Sequence, residues 1–277
     1  MRSFLPEYEV EAPARLEGAL ELLEQGWRPL AGGTDIMVLL ESGRLADRRF
    51  AGLWNLGDLR GIREEGGMVS IGALVTFTEL RESRPIRERF PLLAASAAVT
   101  GCIATQNRGT LGGNIGNASP AGDSLPVLLV YDAQLELVCR GGVRRVPYCH
   151  FHLGYKQMDL RAGELISRIL LPAGRQGWHE CFRKVGARAA QAISKVSMAA
   201  AARTVDGRIE DFRLAYASMA PVPLRCWRTE EILRGARPGC LPELPDETSP
   251  IDDLRSTARY RRQVARNLLL RFLAGIE

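Results

Sequence analysis

The hydrophobic pattern of the first fifty residues switches between a helical period and short extended runs. Apolar positions recur at helical spacing over 13–25, where Pro13 suits a first turn and Gly26 ends the run. The pattern then predicts a strand over 28–30, a helix over 35–40 and a strand over 49–53. A glycine pair therefore lies between a strand and the start of a helix.

The middle of the chain is defined mainly by turn and cap signals. Gly66 and Gly141 begin glycine pairs between apolar runs, and Thr76 and Glu79 have the spacing of a capping box. Asp123 is placed to cap a following helix. The predicted elements are a hairpin over 62–71, a short helix from residue 76, helices over 91–98 and 123–131, and a hairpin over 134–146.

The last part of the chain predicts a different architecture. Asp206-Gly207 is a two-residue hairpin signal between apolar strands, and 172–174 breaks the strand before it. The predicted elements are strands over 165–172, 199–205 and 208–216, a helix over 227–233, an irregular connection over 238–250, and a final helix over 251–272. We place a domain boundary after residue 172.

Composition sets the class of protein. The 277 residues are 46% hydrophobic and 25% charged, which suits a globular protein of two domains. The net charge of +5 is dispersed, without the concentrated basic stripe that nucleic-acid binding requires. The sequence shows no signal core or membrane span, and its six cysteines include no CxxC, so we expect a cytoplasmic protein without a zinc site.

Two glycine-rich segments contain almost no catalytic side chains. The first is 29–35, with sequence PLAGGTD, and the second is 110–120, with sequence TLGGNIGNASP, followed by Asp123. Glycine pairs let backbone amides approach a phosphate closely, although such segments also form plain turns or self-satisfied buried loops. Neither segment is a GxGxxG dinucleotide fingerprint or a P-loop. Two such segments in one chain favour a phosphorylated cofactor gripped at two points.

Together these segments resemble the FAD-binding subunit of the molybdenum hydroxylases, the family of xanthine dehydrogenase and carbon monoxide dehydrogenase. The similarity runs along the whole chain and includes DSLP at 123–126, GVRRVP at 142–147, ELIS at 164–167 and FRKVGAR at 182–188. The resemblance implies an α+β fold: a two-lobed FAD-binding domain of the cresol methylhydroxylase and vanillyl oxidase type over 1–172, with lobes of about 1–55 and 56–172, then a small antiparallel sheet with helices over 173–277.

The resemblance also implies site residues. Residues 31–35 and 110–114 match the loops that contact the diphosphate, so the amides of the glycine pairs would bind phosphate oxygens, and Asp123 would accept from a sugar or ribityl hydroxyl. No catalytic residue and no metal ligand is implied. The implied cofactor contacts are Leu30, Ala31, Gly32, Gly33, Thr34, Asp35, Ile36, Thr110, Leu111, Gly112, Gly113, Asn114, Asn117, Ser119, Asp123, Ile166 and Lys184.

Some residues depart from the family pattern or invite another interpretation. Gln106 stands where the family usually has a basic residue, which removes a charge contact there. The scattered cysteines predict no [4Fe–4S] centre. His150 and His152 are more often surface or capping groups than metal ligands, and no histidine lies in a glycine segment, so FAD is expected to bind noncovalently. Lys184 fits an electrostatic role better than that of a base.

The C-terminal arginines predict a solvated helix face, with docking of an acidic partner as the alternative. They are Arg255, Arg259, Arg261, Arg262 and Arg266.

The implied function is that of an electron-transfer subunit. The expected partners are a molybdopterin-binding large subunit and a small subunit with two [2Fe–2S] clusters, which would deliver electrons to FAD and then to NAD⁺ or another acceptor. A xanthine dehydrogenase-like complex is favoured, with a carbon monoxide dehydrogenase-like one as alternative. A self-contained flavin oxidase or reductase would need its own acid or base beside the flavin, and a scaffold without cofactor would not need intact glycine segments.

Overall fold

The computed structural model of the protein describes residues 7–172, 177–238 and 243–276. The strands are β1 (Glu9–Glu11), β2 (Arg28–Leu30), β3 (Arg49–Gly52), β4 (Ile62–Glu65), β5 (Met68–Gly72), β6 (Gln134–Cys139), β7 (Gly142–Pro147), β8 (His152–Gly154), β9 (Gln157–Met158), β10 (Leu165–Pro172), β11 (His179–Val185), β12 (Val196–Val205), β13 (Arg208–Ala217) and β14 (Leu224–Arg225). The helices are α1 (Leu16–Glu24), α2 (Ile36–Glu41), α3 (Phe77–Glu82), α4 (Arg84–Arg89), α5 (Pro91–Val99), α6 (Ile103–Gln106), α7 (Leu111–Asn117), α8 (Leu125–Val130), α9 (Trp227–Leu233) and α10 (Ala258–Leu273).

The first lobe is a small parallel sheet in the order β1-β3-β2. Helix α1 supplies its apolar cover through Ala19, Leu20, Leu22 and Leu23, which lie in one buried cluster. The next strand–helix connection, from β2 to α2, carries the first glycine segment at the carboxyl end of the sheet. Binding sites in sheets with parallel strands commonly form at that end.

The second lobe is a five-stranded antiparallel sheet in the order β4-β5-β10-β6-β7. Strand β10 is its centre, paired with β5 on one side and β6 on the other. Its residues Ile169 and Leu171 are fully buried in the largest apolar cluster, together with residues of α3, α5, α7 and α8. This packing fixes α7, which carries the second glycine segment, against the sheet.

The C-terminal domain is a four-stranded antiparallel sheet in the order β11-β12-β13-β14. Strand β12 is buried on both faces: Ala199 and Ala201 join the cluster of the second lobe, whereas Met198 and Ala200 join a separate cluster with α10. Because strand side chains alternate between faces, one strand serves both cores. Small alanines allow α8 to pack closely on this sheet.

A buried ion pair reinforces the boundary between the two domains. Arg225 Nε donates to Glu230 Oε1 at 2.8 Å, and both side chains are 2% exposed. Arg225 also donates to the carbonyl of Leu129 at 3.1 Å and pairs with Asp132, both in the FAD-domain half of the chain. The charges are thus compensated by hydrogen bonds across the interface.

Most predicted elements are present, with shifted ends. The predicted helix over 13–25 is α1, and the capping box of Thr76 and Glu79 forms as expected. The predicted acidic cap at Asp123 is wrong. Ser124 is the N-cap residue of α8, and the Asp123 carboxylate accepts a hydrogen bond from Lys184. Strand β1 and the hairpin of β8 and β9 were not predicted, because runs of two or three residues carry little periodicity.

The final helix was predicted to begin at residue 251, but α10 begins at Ala258 after the cap residue Thr257. The difference arises because Asp253 accepts hydrogen bonds from the amides of Arg255 and Ser256, which forms a turn instead of a helix. The predicted solvated face also includes one buried member. Arg261 is 2% exposed and donates to Asp253 and to the carbonyl of Lys195.

Two predictions fall partly outside the described residues. The domain boundary after residue 172 borders 173–176, and the irregular connection over 238–250 includes 239–242. The boundary itself stays a prediction. Residues 243–250 have no regular secondary structure, as expected.

His152 is partly buried, and its Nε2 atom is buried without a hydrogen-bond partner among the described residues. Its ring packs edge-on against Tyr148 and Phe151 at centroid distances of 5.4 and 5.3 Å. Burial lowers the pKa of His152 from its ordinary 6.5 to about 4. The imidazole is therefore neutral in the folded protein at pH 7.

His152→Phe should remove part of the acid sensitivity of the fold. The folded-state pKa of His152 lies below its unfolded value, so its contribution to stability is present above pH 6.5 and is lost as the pH falls towards 4. Urea unfolding at several pH values should show a smaller loss for His152→Phe than for wild type. His150→Gln, at an exposed histidine, is the control, and equal losses in all three proteins would contradict the prediction.

Candidate functional site

The first glycine segment offers a row of backbone amides. It follows β2 at Leu30, passes through Ala31 and Gly32, and enters α2 at Ile36. Within the described residues, the amides of 32–36 donate to no protein oxygen, while the carbonyl of Gly33 accepts from Met37. Gly33 has a φ of +77°, a conformation that favours glycine. Unclaimed amides in a glycine turn are suited to an anion.

Gly32 has a different role from Gly33. A Cβ atom on Gly32 would lie 1.7 Å from the carbonyl oxygen of Arg108, so only glycine fits between the two backbones. Arg108 belongs to the connection that leads into α7. Glycine at position 32 therefore lets the first segment contact the connection that precedes the second segment.

The second glycine segment is a helix and not a loop. Thr110 caps α7, its hydroxyl accepting from the amide of Gly113 at 3.0 Å. The amide of Gly112 donates to the carbonyl of Ala73 at 2.9 Å, and a Cβ atom there would lie 2.6 Å from the Ala73 methyl. Gly112 thus allows close packing on the second lobe.

These hydrogen bonds correct the expected role of two glycines. The amides of Gly112 and Gly113 were expected to bind phosphate, but both already donate within the protein. The Thr110 hydroxyl likewise acts as a cap acceptor. Sequence spacing alone did not reveal this, because a glycine pair looks the same whether it binds a ligand or packs against a neighbouring backbone.

Asn117 connects the two segments through side chains. Its Nδ2 donates to Asp35 Oδ1 at 3.1 Å, and its Oδ1 accepts from Lys156 Nζ at 2.6 Å. Lys156 also donates to the Asn117 carbonyl. Burial lowers the pKa of the Lys156 ammonium, Asp35 opposes this shift, and Arg28 adds to it. These bonds bring together the tip of the β8–β9 hairpin, the end of α7 and the first glycine segment.

Asp123 is the centre of a buried polar cluster between the domains. Its Oδ2 accepts from Lys184 Nζ at 2.6 Å, and its Oδ1 accepts from Ser194 and Ser197 at 2.5 and 2.7 Å. Lys184 also donates to the carbonyl of Val99 at 3.0 Å. Both carboxylate oxygens are already engaged. Asp123 and Lys184, each expected at the cofactor, are therefore bonded to each other.

The remaining residues expected at the cofactor differ in their hydrogen bonds and in their exposure. Asn114 Oδ1 accepts from Ser124 at 2.6 Å, and the Ser119 hydroxyl accepts from the amide of Ala121 at 3.3 Å. Thr34 is exposed, whereas Leu111 and Ile166 are buried in the core of the second lobe. Ile166 pairs with Leu137 just before a register shift in β10.

Gln106 does not face the glycine segments. It is 2% exposed, donates to the carbonyl of Ala98 at 3.0 Å and accepts from Arg81 at 3.0 Å. The Gln106 side chain, which departs from the family pattern, therefore has hydrogen-bond partners within the protein.

The described part of the chain contains no group of three or more histidine, cysteine or acidic side chains suited to hold a metal ion. None of the helices in that same part combines the length and apolar character that a bilayer crossing requires.

Two family models match the chain. One, the FAD binding domain in molybdopterin dehydrogenase, matches residues 6–174, and the other, the CO dehydrogenase flavoprotein C-terminal domain, matches 181–276. The chain belongs to the FAD-binding subunits of the molybdenum hydroxylases. It is accordingly a subunit of an oxidoreductase, with a two-part α+β fold.

Individual relatives agree with this assignment. The xanthine dehydrogenase FAD-binding subunit of Escherichia coli O157:H7 is 34% identical over 80% of this chain and 78% of that protein. The carbon monoxide dehydrogenase medium chain of Hydrogenophaga pseudoflava is 28% identical over 97% of this chain and 96% of that protein. The solved structure of carbon monoxide dehydrogenase from that organism superposes with a TM-score of 0.90 over 97% of this chain and 96% of its own, at 28% identity.

Sequence reasoning missed several residues that make these contacts. Lys156 is one of three lysines in an arginine-rich chain, so its rarity was a usable signal. Ser194 and Ser197 carried none, because serines that satisfy a distant carboxylate have no local pattern. Arg108, next to the second segment, was visible but gave no indication that it meets Gly32.

Removing the charge of Lys184 should destabilise the protein strongly. Lys184→Met leaves Asp123 buried without its counter-charge, and breaking such a pair typically costs about 3–5 kcal/mol. Combining Asp123→Asn with Lys184→Met should cost less than the sum of the single changes, as measured by urea unfolding.

The exposed pair of Arg203 and Glu210 is the matched control for this measurement. Arg203→Met should cost less than about 1 kcal/mol. Equal losses for Lys184→Met and Arg203→Met, or strict additivity in the double variant, would show that the Asp123 cluster carries no special coupling.

Proposed function

We propose that this chain binds FAD between its two glycine segments and transfers electrons for a heteromeric molybdenum hydroxylase. The observation that carries the proposal is the row of unclaimed amides at 32–36, in a chain whose family is defined by FAD binding. These amides would hold the FAD diphosphate. Bound FAD would supply the redox chemistry, accepting electrons and passing them on.

The roles of the chain's own residues follow from the geometry. Gly32 keeps the first segment against Arg108, and Asn117 holds Asp35 and Lys156 beside it. The Asp123 cluster fixes the C-terminal domain against the second lobe, so it would set the position of the domain near the far end of the cofactor. We propose that Asp123 and Lys184 act there chiefly by orienting the C-terminal domain and by their electrostatic field.

Partner subunits are part of the proposal. Relatives are named medium chains or FAD-binding subunits, which supports a large molybdopterin-binding partner and a small [2Fe–2S] partner here. Helix α2 is apolar yet buries none of its side chains, and Met37 and Val38 are 53% and 55% exposed. Such a surface beside the first glycine segment supports coverage by a partner. We place the complex in the cytoplasm, where thiols stay reduced.

The favoured complex is xanthine dehydrogenase-like, with NAD⁺ as electron acceptor. The support is the 34% identity to xanthine dehydrogenase FAD-binding subunits, against 28% for the carbon monoxide dehydrogenase chain. A carbon monoxide dehydrogenase-like role is the second candidate, because that relative covers nearly the whole chain. Catalytic turnover of an organic substrate by the isolated chain would instead indicate a self-contained flavin enzyme.

Gly32→Ala should abolish or strongly reduce FAD binding. The added methyl group cannot fit beside the Arg108 carbonyl, so the first segment must move away from α7. We expect stoichiometric flavin released from denatured wild-type protein and several-fold less from Gly32→Ala. Gly57→Ala is the control, because a Cβ at Gly57 would meet no atom within 4 Å apart from its own residue and its two chain neighbours. Full flavin content in Gly32→Ala, or none in wild type, would contradict the proposal.

NADH should reduce the flavin of the isolated holo-subunit under anaerobic conditions. Loss of the visible flavin band on adding NADH supports NAD⁺ as the acceptor of the complex. A flavin that dithionite bleaches but NADH does not would exclude NAD⁺ and favour another acceptor. The same NADH addition to Gly57→Ala shows whether a substitution outside the glycine segments changes the reduction.

A further inference from the structure

Arg108 lies at the contact between the two glycine segments. Its carbonyl oxygen faces Gly32 so closely that no side chain fits there, and the next residue, Gly109, accepts from the amide of Phe77. The backbone of Arg108 is thus fixed on both sides. Its exposed side chain starts beside the unclaimed amides of 32–36.

The guanidinium of Arg108 is held on an aromatic platform. It lies 3.7 Å from the centroid of the Trp54 ring, and the guanidinium of Arg60 lies 4.6 Å from the same centroid. Arg60 also donates to the carbonyl of Trp54 at 2.6 Å. Stacking of guanidinium groups on tryptophan orders side chains that would otherwise be mobile in water.

The platform itself lies next to the first glycine segment. Trp54 directly follows Leu53, whose amide donates to the carbonyl of Leu30 at 2.9 Å, immediately before the segment begins. Backbone contact at Gly32 and strand pairing at Leu30 therefore place Arg108 and Trp54 at the same end of the parallel sheet.

Among the described residues, no carboxylate lies within ion-pair distance of Arg108 or Arg60. Other cations around the first segment are accounted for: Arg28 pairs with Asp47, and Lys156 is attracted by Asp35. Two guanidinium groups that are ordered on Trp54, at the same end of the parallel sheet as the free amides, are suited to a doubly charged anion.

We propose that Arg108 is a positioning residue for the FAD diphosphate, supplying the positive charge that complements the amides of 32–36, with Trp54 holding it in place and Arg60 reinforcing it. This inference rests on the proposed function. Gln106 supplies no such charge, because it is buried and bonded to Ala98 and Arg81.

The test compares Arg108→Gln with wild type in direct binding measurements on the apo-subunit. Titration calorimetry gives the affinities for FAD, ADP, adenosine and riboflavin at low and high salt. Arg108→Gln should weaken FAD and ADP about tenfold at low salt, equivalent to about 1.4 kcal/mol, and should flatten the salt dependence of both. The affinities for adenosine and riboflavin, which lack a diphosphate, should stay unchanged.

Two further variants keep the result interpretable. Arg108→Lys retains the charge and should recover most of the lost affinity for ADP, and Arg87→Gln, at an exposed arginine of α4, should leave every affinity unchanged. Thermal unfolding of each apo-variant checks that the fold is intact.

The outcomes separate this inference from the proposed function. If wild type binds FAD but Arg108→Gln binds FAD and ADP as tightly, or weakens adenosine equally, the assignment of Arg108 is overturned. If wild type binds no FAD at all, the proposed function itself fails.

Discussion

The close contact between Gly32 and the carbonyl of Arg108 is the constraint on which the site depends. It joins a turn of the parallel-sheet lobe to the connection that precedes α7 in the antiparallel-sheet lobe. The Asn117–Asp35 bond also links the two segments, through side chains, and Lys156 donates to Asn117 beside it. A larger residue at position 32 would push the two backbones apart at the proposed cofactor site.

The two glycine segments have different roles. In the first, the amides of 32–36 donate to no protein oxygen among the described residues, and we propose that they bind the diphosphate. In the second, the glycines let α7 pack on Ala73, and its amides are used within the protein. The Asp123 cluster adds the third contact surface, since its members come from the FAD-binding part and from the C-terminal domain.

Local sequence signals predicted much of this architecture. Helical periodicity located α1, the capping box located α3, and Asp206-Gly207 located the hairpin of β12 and β13, because each depends on neighbouring residues alone. The family resemblance then gave the fold and the cofactor, and the family models confirmed both.

Most of what could not be predicted depends on contacts between distant residues. The sequence around Gly112 is typical of a phosphate-binding glycine, but in the structure Gly112 packs against Ala73. The position of Asp123 is typical of a helix cap, but its carboxylate accepts from Ser194 and Ser197. The start of α10 was misplaced because Asp253 bonds the amides that would have begun a longer helix. For Gly112 and Asp123 the deciding partner is distant in the sequence, whereas at α10 it is a local side chain–backbone turn that the apolar periodicity does not show.

Amide hydrogen exchange, with and without FAD, tests the central claim most directly. If the first segment holds the diphosphate and the second is structural, FAD should slow exchange at residues 32–36 and leave 111–114 nearly unchanged, because those amides are already bonded. Slowing confined to 111–114, or no change at 32–36 in protein that has bound FAD, would contradict this account.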